Sequence, residues 1–175
     1  MVSESYHFES GAVVYEPFLG CCKVVASTQE TILGVEQWFY QLQPSQGSAV
    51  VKVSARQMAA RGIRPLMTTD QMELALQGAN QAPALAQETY AQRLRRWTEQ
   101  LRSGEHHGAL GMLREFNTLL SDGARLSPKE NEMHETVQRT TLQEIAAVMQ
   151  ISPGKASVRL SEALGLVKGR QEKKK

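Results

Sequence analysis

The basic and aromatic feature that matters most lies in residues 90–102, and it contains Tyr90, Arg93, Arg95, Arg96, Trp97 and Arg102. At about 100° per residue, Arg95 and Arg102 share one face of a helix, and Arg93 lies about 60° from Tyr90. Arginines that bind phosphates, beside an aromatic ring that enters a groove, would form a nucleic-acid contact. The alternative is structural: Trp97 lies in a core, and the arginines form a solvated helix face.

A second candidate for nucleic-acid binding is residues 141–164, which are typical of a helix-turn-helix. Ser152 and Pro153 would open the second helix, and the base-contact candidates would be Lys155, Ser157 and Arg159. Gln150, however, occupies the turn position that usually carries glycine. Two packed helices of a structural bundle are the competing interpretation.

Catalytic and metal-binding arrangements are hard to find. None of the four histidines (His7, His106, His107 and His134) lies at helical spacing from both another histidine and an acid. Zinc needs three or four well-spaced donors, so these residues do not indicate a zinc site. Cys21 and Cys22 lie on a predicted strand, so we expect one buried and one exposed thiol. No motif supplies a base for a nucleophile. We therefore expect a protein that is not an enzyme, with no catalytic residues, no metal and no cofactor.

The first part of the chain carries strand signals. Short apolar runs at residues 12–15, 20–25, 37–42 and 49–53 alternate with turn sequences at residues 33–34 and 44–47. This spacing indicates a small, strongly bent sheet or an SH3-like barrel.

The second part carries helical periods. One apolar stripe is Tyr90, Leu94, Trp97 and Leu101, with a stop at residues 103–104, and a second runs from residue 109 to about residue 122. Ser127 with Pro128 and Glu130 predicts a capped third helix that reaches about Met149. A fourth helix starts at residues 152–153 and stops at Gly165, whereas residues 79–87 are predicted to be a linker or a broken helix. The fold class is therefore α+β, a small β unit followed by an all-α bundle.

Composition limits the possible environments. The chain has 175 residues, of which 41% are hydrophobic and 22% charged, which is typical of a globular protein. It has neither an apolar run long enough for a membrane span nor a secretory signal, and its two adjacent cysteines fit a reducing cytoplasm. Five basic residues and one acid give residues 168–175 a charge of +4, so the total of +2 leaves −2 for the rest. Contact with DNA must therefore come from a local cluster or from this basic tail.

Four segments, in order, resemble the CarD/CdnL family of bacterial RNA-polymerase-binding transcription regulators, over most of residues 7–165. The first is residues 8–20, with Gly11, Val13-Val14-Tyr15, Pro17 and Gly20; Glu16 is an extra residue before the proline. The others are residues 40–65, with Gly62 and Arg64-Pro65; residues 90–105, with Ser103-Gly104; and residues 126–152, with Leu126-Ser127, Glu130 and Glu144.

The resemblance implies a division of labour. A Tudor-like domain, here residues 1–66, would bind the polymerase β subunit by pairing a strand edge with it, as in β-augmentation. The matching strand contains Val51, Lys52 and Val53. The helical domain, residues 67–165, would meet promoter DNA beside the melted −10 region, and residues 166–175 would be a disordered basic tail. We expect a monomer that is cytoplasmic and associated with the nucleoid.

In the family an aromatic wedges into the minor groove at the upstream edge of the bubble and slows its closure. The matching position here is Tyr90, where the family usually has Trp, and the basic contacts map to Arg93 and Arg95, with Arg96 in support. Gln92 replaces one arginine of the family's pair, and Ser54 replaces the usual proline after the polymerase-facing strand. Two alternative functions remain, a sequence-specific helix-turn-helix regulator and a protein adaptor without DNA contact.

Overall fold

Five antiparallel strands form one sheet in the computed structural model, which describes residues 7–78 and 88–166. The strands are β1 (Val13–Glu16), β2 (Gly20–Ile32), β3 (Val35–Pro44), β4 (Val51–Ser54) and β5 (Arg64–Pro65). Their order is β4-β3-β2-β1-β5, so β4 and β5 are the two edges and the sheet is not closed. The predicted β unit followed by helices is confirmed, whereas the barrel is not, because β4 and β5 do not pair with each other.

The hairpin of β2 and β3 is longer than the sequence predicted. β1 pairs with β2 only as far as Lys23, and β4 pairs with β3 only as far as Phe39. Residues 29–38 therefore pair only with each other and form a two-stranded extension of the sheet. Residues 27–38, which contain this extension, are here called the ribbon. The predicted turn is confirmed at its tip, where Leu33 and Gly34 have φ angles of 51° and 79°, as in the type I′ turns that join short hairpins.

Six helices accompany the sheet: α1 (Ala55–Ala60), α2 (Thr69–Gly78), α3 (Tyr90–Arg102), α4 (Gly108–Ser121), α5 (Pro128–Met149) and α6 (Pro153–Ala163). The last four confirm the predicted helices and their ends. Ser127 and Glu130 form the expected capping box of α5, and Ser152 caps α6. Helices α1 and α2 were not predicted. The predicted linker at residues 79–87 and the basic tail from residue 167 onward lie outside the described residues.

Two hydrophobic cores hold these elements. The sheet core contains Phe8, Val14, Cys22, Val24, Tyr40, Leu42, Val53, Met58 and Ile63. The helical core begins at Met67 and includes Trp97, whose ring centroid lies 4.2 Å from that of Phe116. Trp97 is fully buried, and its indole nitrogen donates a 2.8 Å hydrogen bond to Glu115, which confirms its predicted place in the bundle.

Helix α5 joins the two cores. Arg64 of β5 donates hydrogen bonds of 2.6 and 2.9 Å to the two carboxylate oxygens of Glu144 on α5, and both side chains are buried. The guanidinium of Arg64 also lies 4.4 Å from the ring centroid of Tyr15, whose hydroxyl donates to Thr140 at 3.0 Å. The sheet and the helices are thus held together by a buried, hydrogen-bonded ion pair as well as by apolar contact.

Glu16, which lies between Tyr15 and Pro17, has a structural role at the end of β1. Its carboxylate is fully buried and accepts 2.7 Å hydrogen bonds from the backbone nitrogens of Phe18 and Leu19. Its other oxygen accepts a 2.9 Å bond from Arg61. Glu16 therefore fixes the turn from β1 to β2 and ties it to the end of α1.

Candidate functional site

The strand predicted to meet the polymerase is an edge strand. β4 pairs with β3 on one side, with Val53 opposite Tyr40 and Lys52 opposite Gln41, and no other strand within residues 7–78 and 88–166 pairs with it. Val53 is buried in the sheet core, Val51 is half-buried and Lys52 is exposed. Such an edge presents backbone donors and acceptors to which a partner strand can bind.

Lys52 is held in place on this edge. Its ammonium lies 2.6 Å from the carboxylate of Glu30 and 4.6 Å from the ring centroid of Phe39. The following residue, Ser54, forms a capping box with Gln57 and so begins α1. The serine that stands where the family usually has proline therefore ends the strand and turns the chain.

Tyr90 is the first residue of α3 and is 40% exposed. Thr89 caps the helix, and its hydroxyl accepts from the backbone nitrogen of Gln92, whose side chain in turn accepts from the backbone of Thr89. Gln92, which replaces an arginine of the family pattern, thus completes a capping box. The cap fixes the start of the helix and with it the position of the tyrosine ring.

Arg93 and Arg96 are engaged by carboxylates of the protein itself. Arg93 donates a 2.8 Å hydrogen bond from its Nε to Glu130 and stacks 5.5 Å from the Trp97 ring centroid. Arg96 contacts both Glu88 and Glu115 at 2.8–3.1 Å. These contacts hold α3 against α4 and α5, and the phosphate contacts predicted for both arginines remain a prediction.

The acid–base properties of these groups agree with this bonding. Burial favours the neutral form of Glu130, but hydrogen bonds from Ser127 and Arg93 outweigh it and hold its pKa below the usual range. The hydrogen bonds to Glu115 and Glu88 raise the pKa of Arg96. Glu130 and Arg96 are therefore charged at neutral pH.

Arg95 differs from its two neighbours because its side chain is 82% exposed and, among the described residues, bonds only to Glu99, at 2.8 Å, one turn along the same helix. It lines a groove of about 640 Å³ between α3 and α5, here called the α3–α5 groove. Phe18, Leu94 and Met133 supply its apolar lining, and the exposed cations along it are Arg95, Arg102 and Lys129. The sequence placed Arg95 and Arg102 on one helix face but did not indicate Lys129, which belongs to another helix.

The predicted helix-turn-helix segment is a pair of closely packed helices. Gln150 ends α5 in the left-handed conformation, with φ 52° and ψ 44°, and so takes the place that glycine usually fills. Lys155 and Ser157 are exposed on α6, whereas Arg159 donates to Glu73 of α2 at 2.7 Å. The helix pair is present, and base contact by its three candidate residues remains a prediction.

Both cysteines are buried, so the prediction of one exposed thiol was wrong. The side chain of Cys22 lies in the sheet core. Cys21 lies on the opposite face of the sheet, and its backbone nitrogen donates a 3.3 Å hydrogen bond to Gln143 of α5. Helix α5 covers the face of the sheet that the sequence left open. Within the described residues, no group of three or more His, Cys, Asp or Glu side chains is placed to hold a metal ion.

The buried thiols should resist alkylation in the native protein. Burial, followed by the nearby carboxylate of Glu144, raises the pKa of Cys21 to about 12, and burial with Glu16 raises that of Cys22 to about 11. The reactive thiolate is therefore scarce at about pH 8. We expect iodoacetamide to modify both thiols within minutes in denaturant and neither in buffer, as measured by mass spectrometry. Rapid labelling of the folded protein at either position would contradict the burial.

Taken together, these features define a class: a mixed α/β protein in which an open antiparallel sheet with a free edge strand is fixed to a helical unit. In the described part of the chain, no helix combines the length and apolar character needed to cross a membrane. No protein-family model matches the chain, and no curated protein matches it.

Proposed function

We propose that this protein is a transcription regulator that binds the RNA polymerase β subunit through β4 and stabilises opened promoter DNA through α3. The observation that carries the proposal is that the strand singled out by the family resemblance, Val51–Ser54, is an edge strand, whose outer side pairs with no strand of residues 7–78 and 88–166. A buried central strand would have no groups left for β-augmentation. The proposal includes the assignment of the sheet unit as a Tudor-like domain.

The DNA contact in this proposal centres on Tyr90. A ring exposed at a capped helix start can stack at the edge of a bubble, and such stacking contributes on the order of 1–3 kcal/mol per base. Arg93 and Arg96 are bonded to carboxylates of the protein itself. We therefore assign the main phosphate contact to Arg95. Arg102 and Lys129 add positive charge along the same α3–α5 groove, and Glu99 and Glu132, which also line it, offset part of that charge.

Binding to polymerase allows the DNA contact to be weak. A protein shifts the equilibrium toward the open complex only by the amount by which it binds that complex more tightly than the closed one. Polymerase binding through β4 would raise the local concentration of the α3 surface near the promoter. The buried Arg64–Glu144 pair fixes the sheet relative to the helices, so that both contacts can be made by one molecule.

The test is the lifetime of the promoter open complex formed by the cognate polymerase, with and without the protein. We expect the wild type to lengthen the lifetime and Tyr90→Ala to lose roughly 5- to 150-fold of that effect, the equivalent of one stacking contact. Lys52→Glu should lose the effect by weakening polymerase binding, which a direct binding assay measures in parallel.

Matched controls separate these effects from damage to the fold. Leu120→Ala removes a similarly exposed side chain from α4, and Lys23→Glu reverses an exposed charge on β2. Both variants should retain the wild-type lifetime. A wild-type protein without effect would refute the proposal, and so would Tyr90→Ala and Lys52→Glu variants that both match the wild type.

The helix-turn-helix alternative is supported by the tight α5–α6 turn and by the exposed Lys155 and Ser157. It predicts tight, sequence-dependent DNA binding without polymerase, whereas the polymerase-docked function predicts weak and sequence-indifferent binding. The adaptor alternative predicts that Tyr90→Ala leaves transcription unchanged. A DNA-binding assay in the absence of polymerase, combined with the lifetime measurement, distinguishes the three.

A further inference from the structure

The ribbon (residues 27–38) ends in an exposed apolar tip. Residues 31–36 are all exposed, and the tip contains three neighbouring aliphatic side chains, of which Leu33 is 98% exposed. The other two are Ile32 and Val35, which are 44% and 55% exposed. Within the described residues the tip packs against neither hydrophobic core. A cluster of this kind is typical of an interaction site rather than of a solvent-facing turn.

The backbone at the tip points to the same conclusion. Leu33 has a φ of 51°, in the left-handed region that strongly favours glycine and asparagine over bulky side chains. An asparagine at this position would suit the turn better and would remove an exposed apolar surface. The backbone conformation of the turn does not favour leucine at this position, and Leu33 packs against neither core within the described residues. Contact with another molecule would account for a leucine here.

Charge on the ribbon limits what that molecule is. Residues 27–38 contain two acids, Glu30 and Glu36, and no lysine or arginine. Hydrogen bonds fix both carboxylates, from Thr28 to Glu30 at 3.1 Å and from Gln29 to Glu36 at 2.9 Å. Because Glu30 is ion-paired with Lys52, Glu36 supplies the net negative charge beside the tip. That charge disfavours nucleic acid and anionic lipid, so the partner surface is a protein pocket that is apolar inside and basic at its rim.

Position relates the tip to the β4 edge. Strand β4 pairs with β3 as far as Phe39, and β3 extends four residues beyond that point, to Val35. This extension is about 13 Å long at 3.3 Å per residue. The Lys52–Glu30 contact of 2.6 Å links the edge strand directly to the ribbon. A protein bound along β4 is therefore within reach of the tip.

We propose that the Ile32–Leu33–Val35 tip inserts into an apolar, basic-rimmed pocket of the same polymerase that pairs with β4, as a second anchor of the complex. This inference rests on the proposed function, because it takes the polymerase as the partner. The edge strand supplies backbone pairing with little dependence on side chains, and the tip supplies the buried apolar side chain that dominates many interfaces.

The experiment measures the dissociation constant of the full-length protein and the cognate polymerase for wild type, Leu33→Asn, Leu74→Asn and Lys52→Glu. Leu33→Asn improves the turn chemistry, so its melting temperature should equal or exceed that of the wild type. We expect it to weaken binding by at least about tenfold. Leu74→Asn removes another exposed leucine, on α2, and should bind as the wild type does.

The outcomes separate the two proposals. If Lys52→Glu weakens binding and Leu33→Asn does not, the second anchor is refuted and the β4 contact stands. If the wild type does not bind polymerase, the proposed function fails and the anchor fails with it. Vesicles with anionic phospholipid and duplex DNA serve as further probes, and loss of binding to either on Leu33→Asn substitution would overturn a protein pocket as the partner.

Discussion

Replacing Glu144 by leucine should destabilise the protein by about 3–5 kcal/mol, because Arg64 would remain buried without a counter-charge. Glu144 also accepts a 3.2 Å hydrogen bond from the backbone nitrogen of Met67, which would lose its partner. Urea unfolding followed by circular dichroism gives the free energy of unfolding. Because the pair lies between the sheet and the helices, the loss should appear in one transition that includes both.

The double variant Arg64→Met with Glu144→Leu tests the physical cause. If the uncompensated charge is responsible, the double variant should recover much of the lost stability, since apolar replacement of a complete buried pair is often neutral. Arg95→Ala is the matched control: it breaks an exposed ion pair within one helix and should leave the free energy of unfolding essentially unchanged. A loss below about 1 kcal/mol for Glu144→Leu would show that the pair is not desolvated in solution.

Replacing Gly62 by alanine should cost about 2–5 kcal/mol, through two effects that add. Gly62 has a φ of 72°, a conformation that costs an L-residue about 1–2 kcal/mol. A Cβ atom there would also lie 2.5 Å from the backbone oxygen of Leu101. Relief requires movement of α1 away from the end of α3, and such overpacking typically costs about 1–3 kcal/mol.

Gly123→Ala is the matched control for this steric effect. Gly123 follows α4 as Gly62 follows α1, and its φ of 79° is similar. A Cβ atom there would have no described atom within 4 Å beyond those of its chain neighbours and its own helix. Only the conformational cost of about 1–2 kcal/mol should remain. Equal losses in the two variants, measured by urea unfolding, would contradict the close contact between Gly62 and α3.

The elements that the sequence predicted correctly are those whose limits are set by nearby residues. The capping residues Ser127 and Ser152 act within three positions of themselves, and the apolar stripe of α3 repeats within one helix. Helices α1 and α2 were missed although each begins with reciprocal cap hydrogen bonds, between Ser54 and Gln57 and between Thr68 and Gln71. With six and ten residues, they are too short for a long apolar period. The ribbon was missed because residues 27–31 are polar: both of its faces meet solvent, and no apolar alternation marks it as strand.

The candidate site was less predictable because its partners are distant in the chain. Tyr90 could be placed at a helix start, and Lys52 on a strand, from local patterns alone. The partner of Arg93, Glu130, lies 37 residues away, and one partner of Arg96, Glu115, lies 19 residues away. Which arginines remain exposed therefore depends on how α3, α4 and α5 pack. The burial of Cys21 depends in the same way on α5 covering the sheet.

The buried Arg64–Glu144 pair also has an evolutionary consequence. Its two positions lie 80 residues apart in the chain, yet loss of one charge leaves the other unpaired in the interior. A lineage that replaces Arg64 gains from a second replacement at position 144, so the two positions should covary among relatives. Recombination that joins the sheet of one relative to the helices of another would separate such matched pairs, and selection should therefore favour inheriting the two units together.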